Sequence, residues 1–260
     1  MSRISKKFPV SSHSDVYKRQ VNGDYKIAGC PGTGAKIVMD WSDAVGGCTG
    51  KLVPTGNAKD VLDVDGKKYT VSIIDAGNVV VFIKAEELGL KGTESAAEID
   101  NNKALLEEIE KIRGHACVKI GLVEKWQDAA VKTPYQPFFA ILSKPADYDA
   151  INNVKVKKED IDITSRLLFM LKMHKTYAIT GTVCTGAAAR VEGSVLWELL
   201  SEEARKNKVL RIGHPGGALS MISEYEGSGD SFRLTNLETY RTARMIMEGH
   251  VYVNKNVFKK

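Results

Sequence analysis

The stretch VLDVDGKKYTVSIID (61–75) constrains the fold more than any other part of the chain. Apolar and polar residues alternate on both sides of Asp65-Gly66. Such a link predicts a tight β-hairpin, because both central residues must take positive φ and Asp and Gly tolerate it. A second turn is predicted at Asp75-Ala76-Gly77-Asn78, followed by the apolar strand VVVFIKA. Further strands are predicted at 138–143, at about 161–170, and on both sides of a Gly-Pro turn in RIGHPGGALSMISEY (211–225). Residues 25–41 read as strand, Gly/Pro turn and strand, and 239–253 as strand broken by a short turn.

One long helical period interrupts the strands. Leu105, Ile109, Ile112, Ala116 and Ile120 recur close to every 3.6 residues, which predicts a helix over 101–120 with Asp100 as N-cap and Gly121 as stop. A short small-residue helix is predicted from Thr182 to about Ala189, and a helical run over VLWELLSEEARKN (195–207). Trp41, Trp126 and Trp197 are expected in the core. No internal repeat occurs. The predicted class is α+β.

The 260 residues allow one large core or two modest domains. No apolar run is long enough to span a bilayer, and no segment resembles a signal peptide. Cys30, Cys48, Cys117 and Cys184 show neither CxxC nor zinc spacing, which predicts reduced thiols in a cytoplasm and no structural metal. The net charge of +5 raises the question of nucleic acid. Within 1–20, five cations face Asp15 alone, a net of +4, which leaves +1 for everything after residue 20. No nucleic-acid-binding pattern is evident, so none is expected as a partner. The flank 1–20 lacks periodicity, and its end, SSHSDVYKRQ, resembles a translated vector junction. It is expected to be non-native or disordered. Residues 254–260 form a basic tail.

Several loops carry groups that bind anions. Thr180-Gly181-Thr182 precedes the Ala-rich helix, and free N–H groups at a helix start attract negative charge. No Lys follows, so this is not a phosphate-gripping loop. Taken alone, the stretch is better explained as a glycine turn capped by Thr182. His214 beside a Gly-Pro turn either donates to a carboxylate or bonds its neighbouring backbone, and the latter is favoured for a lone His. Asn78 either binds a substrate oxygen or serves an Asx turn. Arg166 lies on an apolar strand, where a cation is costly unless it pairs with an internal acid or faces a bound anion. His174, after Met173, poses the same choice more weakly. Cys184 in the first helical turn would have a lowered pKa if reactive, but a small buried side chain is favoured, since no partner base is identifiable.

Taken together, GCPGTGAKIVMDW (29–41), TGKLVPTGN (49–57), SIIDAGN (72–78), LGLKGTE (88–94), ITSRLLFM (163–170) with MHK (173–175), ITGTVCTGAAARVEG (179–193), IGHPGG (212–217) and YRTARMIMEGHVYV (240–253) resemble, in order, the 2-methylaconitate isomerase or PrpF family, which includes 4-oxalomesaconate tautomerases. The resemblance implies a diaminopimelate epimerase-like fold of two similar lobes, each a curled mixed or antiparallel sheet around a central helix. Residues 21–253 would be the second lobe. The family's catalytic Ser/Lys pair has no counterpart here and is expected upstream, so the catalytic residues are unknown. Two departures stand out: Val79 where the family usually has Pro, and Gly216 where it usually has Ser.

The implied activity is isomerisation of an unsaturated tricarboxylic acid, a proton moving between carbons while preorganised donors stabilise the developing charge. Substrate contacts would come from Asn78, Arg166, Met173 and His174, from Thr180, Gly181 and Thr182, and from His214, Gly216 and Gly217. No cofactor or metal is suggested. A lobe without its counterpart is expected to lack turnover and to self-associate as a homo-oligomer. Two alternatives stay open: an epimerase using Cys184, and an inert carboxylate-binding domain.

Overall fold

A computed structural model describes residues 22–244, 247 and 252, so the flank 1–20 and the tail 254–260 lie outside the described residues. The described residues divide between two compact units, one drawn from 1–37 and 241–260, the other Val38–Tyr240. In the smaller unit, Tyr25 and Gly34 exchange two backbone hydrogen bonds of 3.1 Å. Lys36 Nζ lies 5.4 Å from the Tyr25 ring centroid.

The larger unit is built on a mixed sheet. Its strands are β1 (Ile37–Asp40), β2 (Asp60–Val64), β3 (Lys67–Ala76), β4 (Asn78–Lys84), β5 (Phe138–Ser143), β8 (Ile163–Phe169), β9 (Lys172–Met173), β10 (Val209–His214), β11 (Gly217–Glu226) and β12 (Arg233–Arg241). They run in the order β1-β12-β11-β10-β8-β5-β4-β3-β2, with β9 pairing β8. A separate two-stranded hairpin joins β6 (Tyr148–Asp149) to β7 (Lys155–Val156). The hairpin at Asp65-Gly66 forms as predicted, with Val64 opposite Lys67 and φ of 54° and 84° at the two turn residues.

The β4–β5 and β8–β10 pairs are parallel. Parallel neighbours need crossovers, and here they are helical. The first crossover holds α1 (Ala96–Asp100), α2 (Lys103–Lys119) and α3 (Ala129–Lys132); the second holds α4 (Ile179–Ala188), α5 (Val195–Leu199) and α6 (Glu202–Lys206). The two sets cover opposite faces. Ile99, Leu105, Ile109 and Ile112 pack with Ile73, Val81 and Leu168 on one face. Val183, Cys184, Ala187, Val195 and Leu196 pack with Ile74, Phe82, Leu167 and Ile212 on the other. Central β4 and β5 are covered on both sides, so their sequences are apolar throughout rather than alternating.

Glycines seat α4 tightly on the sheet. A Cβ at Gly181 would stand 2.6 Å from Leu167 Cδ2, and one at Gly186 would overlap the end of Met221. The predicted short helix therefore exists, but it begins three residues earlier than Thr182. Two other boundaries differ. Asn102, not Asp100, caps the long helix, its side chain accepting the Leu105 N–H at 3.1 Å. Asp100 ends α1 and accepts the Met173 N–H at 2.8 Å. The run 195–207 splits in two because Ser201 caps a new helix through the Ala204 N–H. The three tryptophans are half-buried at the edge of the core. Most of 245–253 lies outside the described residues.

Candidate functional site

Strand directions bring three connections to one end of the sheet on the α4 face. The first joins β3 to β4. β3 runs on through Ala76, so Gly77, at φ 71°, is the whole turn, and Asn78 opens β4 opposite Ala76. Asn78 is not among the positive-φ residues, so it is no left-handed turn residue. A Cβ at Gly77 would lie 3.6 Å from the Thr180 Cα, which shows how closely this turn abuts the start of α4. Asp75, fully buried, holds the preceding loop: one carboxylate oxygen accepts the Cys48 N–H at 3.0 Å, the Thr49 N–H at 2.6 Å and the Thr49 hydroxyl at 2.8 Å.

The second connection is the start of α4 itself. Its N-cap is Ala178, which offers no side-chain cap. The Thr182 N–H bonds the Ala178 carbonyl at 2.8 Å, and the Thr182 hydroxyl donates to the same carbonyl at 3.0 Å. The N–H groups of Ile179, Thr180 and Gly181 find no acceptor among the described residues. The donor nest expected at Thr180–Thr182 is thus shifted by one residue to Ile179–Gly181, and Thr182 closes the first helical bond instead of capping the helix. Three unpaired donors on one terminus, with the positive end of the helix dipole behind them, form an anion-binding geometry.

The third connection pairs two histidines in matching turns. The Gly216 N–H donates to His214 Nδ1 at 3.1 Å, and the Thr176 N–H donates to His174 Nδ1 at 3.2 Å. An Nδ1 that accepts a bond is unprotonated, so in each neutral ring the proton sits on Nε2. The turns touch: a Cβ at Gly216 would lie 3.0 Å from Thr176 Cγ2 and 3.2 Å from the Lys175 carbonyl oxygen. His214 is 1% exposed. Burial first, then the Arg166 and His174 charges, push its pKa down to about 3. It is a neutral N–H donor at physiological pH. Gly217 closes the turn opposite His214, at φ 132°.

Tyr177 joins the second and third connections. Its hydroxyl lies 2.7 Å from Ser165 Oγ and 3.0 Å from Thr185 Oγ1, and its ring centroid is 6.1 Å from that of His214. Burial raises the Tyr177 pKa to about 12, so the hydroxyl stays protonated. Sequence reasoning passed over Tyr177. The available signal was an aromatic residue just ahead of a helix of small side chains.

Two expected residues lie elsewhere. Side chains alternate along β8, so Ser165 and Leu167 face α4 while Arg166 and Leu168 face α2. Arg166 therefore stands on the opposite face of the sheet from the α4 terminus. It pairs with no carboxylate among the described residues; its Nε donates to the Glu94 carbonyl at 2.7 Å and Nη1 to the Ser165 carbonyl at 3.2 Å. Its guanidinium carbon lies 4.6 Å from the Tyr148 ring centroid. Met173, beside Leu168 in the register, is buried in that same α2-side core. Cys184 is fully buried in the second turn of α4; its thiol donates to the Ile74 carbonyl at 3.2 Å, and burial pushes its pKa up. A thiol so placed is not poised to act as a base, which removes the candidate on which an epimerase reading rested.

A family model described as "PrpF protein" matches residues 5–254. The chain belongs to the PrpF family. As a PrpF protein it is 42% identical over 239 residues to a 3-methylitaconate isomerase of Eubacterium barkeri, covering 92% of this chain and 62% of the relative. It is 32% identical over 243 residues to a 2-methyl-aconitate isomerase of Shewanella oneidensis, covering 91% and 60%. It is 31% identical over 231 residues to a (4E)-oxalomesaconate Delta-isomerase of a Novosphingobium species, covering 89% and 58%. The chain thus spans about three-fifths of the length of these relatives. A crystal structure of a methylitaconate-delta-isomerase aligns with a TM-score of 0.83 at 42% identity, over 91% of this chain and 60% of that one. The fold is of the PrpF, diaminopimelate epimerase-like kind, as the sequence motifs implied.

Proposed function

We propose that the α4 end of the sheet binds a carboxylate of an unsaturated di- or tricarboxylic acid, as part of an isomerase that moves a proton between two of its carbons. The observation that carries this reading is the uncapped start of α4, with the Ile179, Thr180 and Gly181 N–H groups unpaired beside a neutral His214. A carboxylate there accepts backbone donors without competing against an internal cap. The relatives' names supply the substrate class: methylitaconate, methylaconitate and oxalomesaconate are all unsaturated acids. The reaction leaves the mass unchanged, since one proton leaves a carbon next to a carboxylate and one returns elsewhere on the conjugated frame. Charge that develops on the carboxylate during this shift is where fixed N–H donors act. This reading gives the cluster a role in binding and charge stabilisation; it assigns no acid or base.

Calorimetric titration of the chain with 2-methylaconitate and 3-methylitaconate tests this reading, with turnover followed by ultraviolet absorbance of the conjugated acid. Saturable binding is expected, weakened about tenfold or more in His214→Leu, the cost of one lost buried donor. Wild-type protein that binds neither acid would overturn it.

A further inference from the structure

The turn that carries His214 is gripped from the face opposite the candidate site. Ahead of it, β10 has glycine at 213. A Cβ there would lie 3.0 Å from the Tyr148 hydroxyl and 2.6 Å from Ile161 Cδ1, so the missing side chain lets the β6–β7 hairpin lie directly on the strand. The Tyr148 hydroxyl then reaches the His214 carbonyl at 2.8 Å and the Gly217 carbonyl at 2.9 Å. The Ile151 N–H takes the Pro215 carbonyl at 2.8 Å. Tyr148 and Ile151, three residues apart in one short hairpin segment, thus contact three of the four carbonyls in the turn 214–217, the single Tyr148 hydroxyl proton being shared between two of them.

Tyr148 is held in its own right. Arg166 packs on its ring, and the Arg166 Nε is anchored to the Glu94 carbonyl at the approach to α1. A guanidinium stacked on a tyrosine face is attracted by the ring quadrupole, and more strongly where water is excluded. Arg166 is 1% exposed. This accounts for a buried cation that faces no carboxylate.

We infer that Tyr148, braced by Arg166, is a positioning residue: it fixes the turn 214–217 from behind and so aims the His214 Nε2 donor and the Gly216 and Gly217 backbone at the bound carboxylate. The inference rests on the proposed binding role of that turn, but the clamp itself is testable without ligand. Arg166 thereby influences binding through Tyr148 and not by touching the acid.

The test uses the full chain, labelled with nitrogen-15. Tyr148→Phe removes the hydroxyl and keeps the ring on which Arg166 stacks. Amide hydrogen exchange at Gly216 and Gly217 is expected to rise about tenfold, as loss of a single hydrogen bond predicts for local opening. The His214 ring resonances are expected to move away from the pure Nε2–H pattern. The Phe82 and Ile141 amides, in the fully buried central strands β4 and β5, report global stability and should be unchanged. Affinity for 2-methylaconitate is expected to fall by a similar factor. Arg166→Lys keeps the charge and loses the planar stack, and should loosen the same amides to a smaller extent. Turn exchange and His214 resonances that stay at wild-type values in Tyr148→Phe would overturn the clamp. Equal acceleration at Phe82, Ile141 and 216–217 would also overturn it, because the effect would then be on folding. Failure of the wild-type chain to bind any unsaturated acid, with the turn loosening as described, would count against the proposed function and leave the clamp standing.

Discussion

The Tyr177 hydroxyl lies 3.0 Å from Thr185 Oγ1, tying the residue just before α4 to its second turn. Thr185 in turn donates to the Gly181 carbonyl at 2.8 Å, and Ser165 lies 2.7 Å from the same tyrosine oxygen. A strand, a loop and a helix start are thereby joined through one phenol. Tyr177→Phe leaves the buried Ser165 hydroxyl without its partner. The expected loss is about 1–3 kcal/mol, the cost of one unsatisfied buried polar group. Urea unfolding monitored by tryptophan fluorescence measures it; an unchanged midpoint would contradict the network.

Stability should depend on pH through His214. Its folded pKa, about 3, lies below the ordinary 6.5, so between these values the unfolded chain binds a proton that the folded chain does not. Stability then rises with pH across this window, by about 1.4 kcal/mol per unit at most, and is lost as pH falls from 6.5 toward 3. Carboxylates held below their usual range, such as Asp147 bonded by the Lys158 N–H, lose their contribution only from about their ordinary 3.8 downward. The signature is the slope between pH 6.5 and 5. His214→Gln should flatten it, and a slope equal to wild type would assign it to another group.

Gly181→Ala should harm both packing and binding. The new methyl would meet Leu167 Cδ2 at 2.6 Å, so the helix start must shift or the leucine must move. Overpacking of this kind costs about 1–3 kcal/mol. Thermal unfolding gives the first quantity and calorimetric titration with 2-methylaconitate the second. Full affinity in a destabilised variant would show that the α4 terminus does not contact the acid.

Asn102→Ala removes the cap of α2, whose Oδ1 accepts the Leu105 N–H. A loss of about 1 kcal/mol is expected from denaturant midpoints. Asp100→Asn tests the rival position, where the carboxylate accepts the Met173 N–H and an amide oxygen can do the same, so the effect should be smaller.

Local patterns determined much of the chain on their own. The alternation around Asp65-Gly66 specified a hairpin and its register, because a two-residue turn and a buried face leave one pairing open. The apolar run 138–143 became β5 with those bounds, and the ordered motifs identified the family. Helix starts were less legible. Asp100, Asn102 and Thr182 are all plausible caps, and the choice fell to which side chain had a better partner: Asp100 found Met173 across the fold. The side to which Arg166 points was beyond sequence reasoning altogether. An apolar strand buried on both faces has no alternation to show which face is which, so only the packing of α2 and α4 decided that Ser165 meets Tyr177 while Arg166 meets Tyr148. His214, Tyr177 and the α4 terminus likewise come together only because β10 runs parallel to β8 with its last residues beside the start of β8, a long-range pairing that no local spacing encodes.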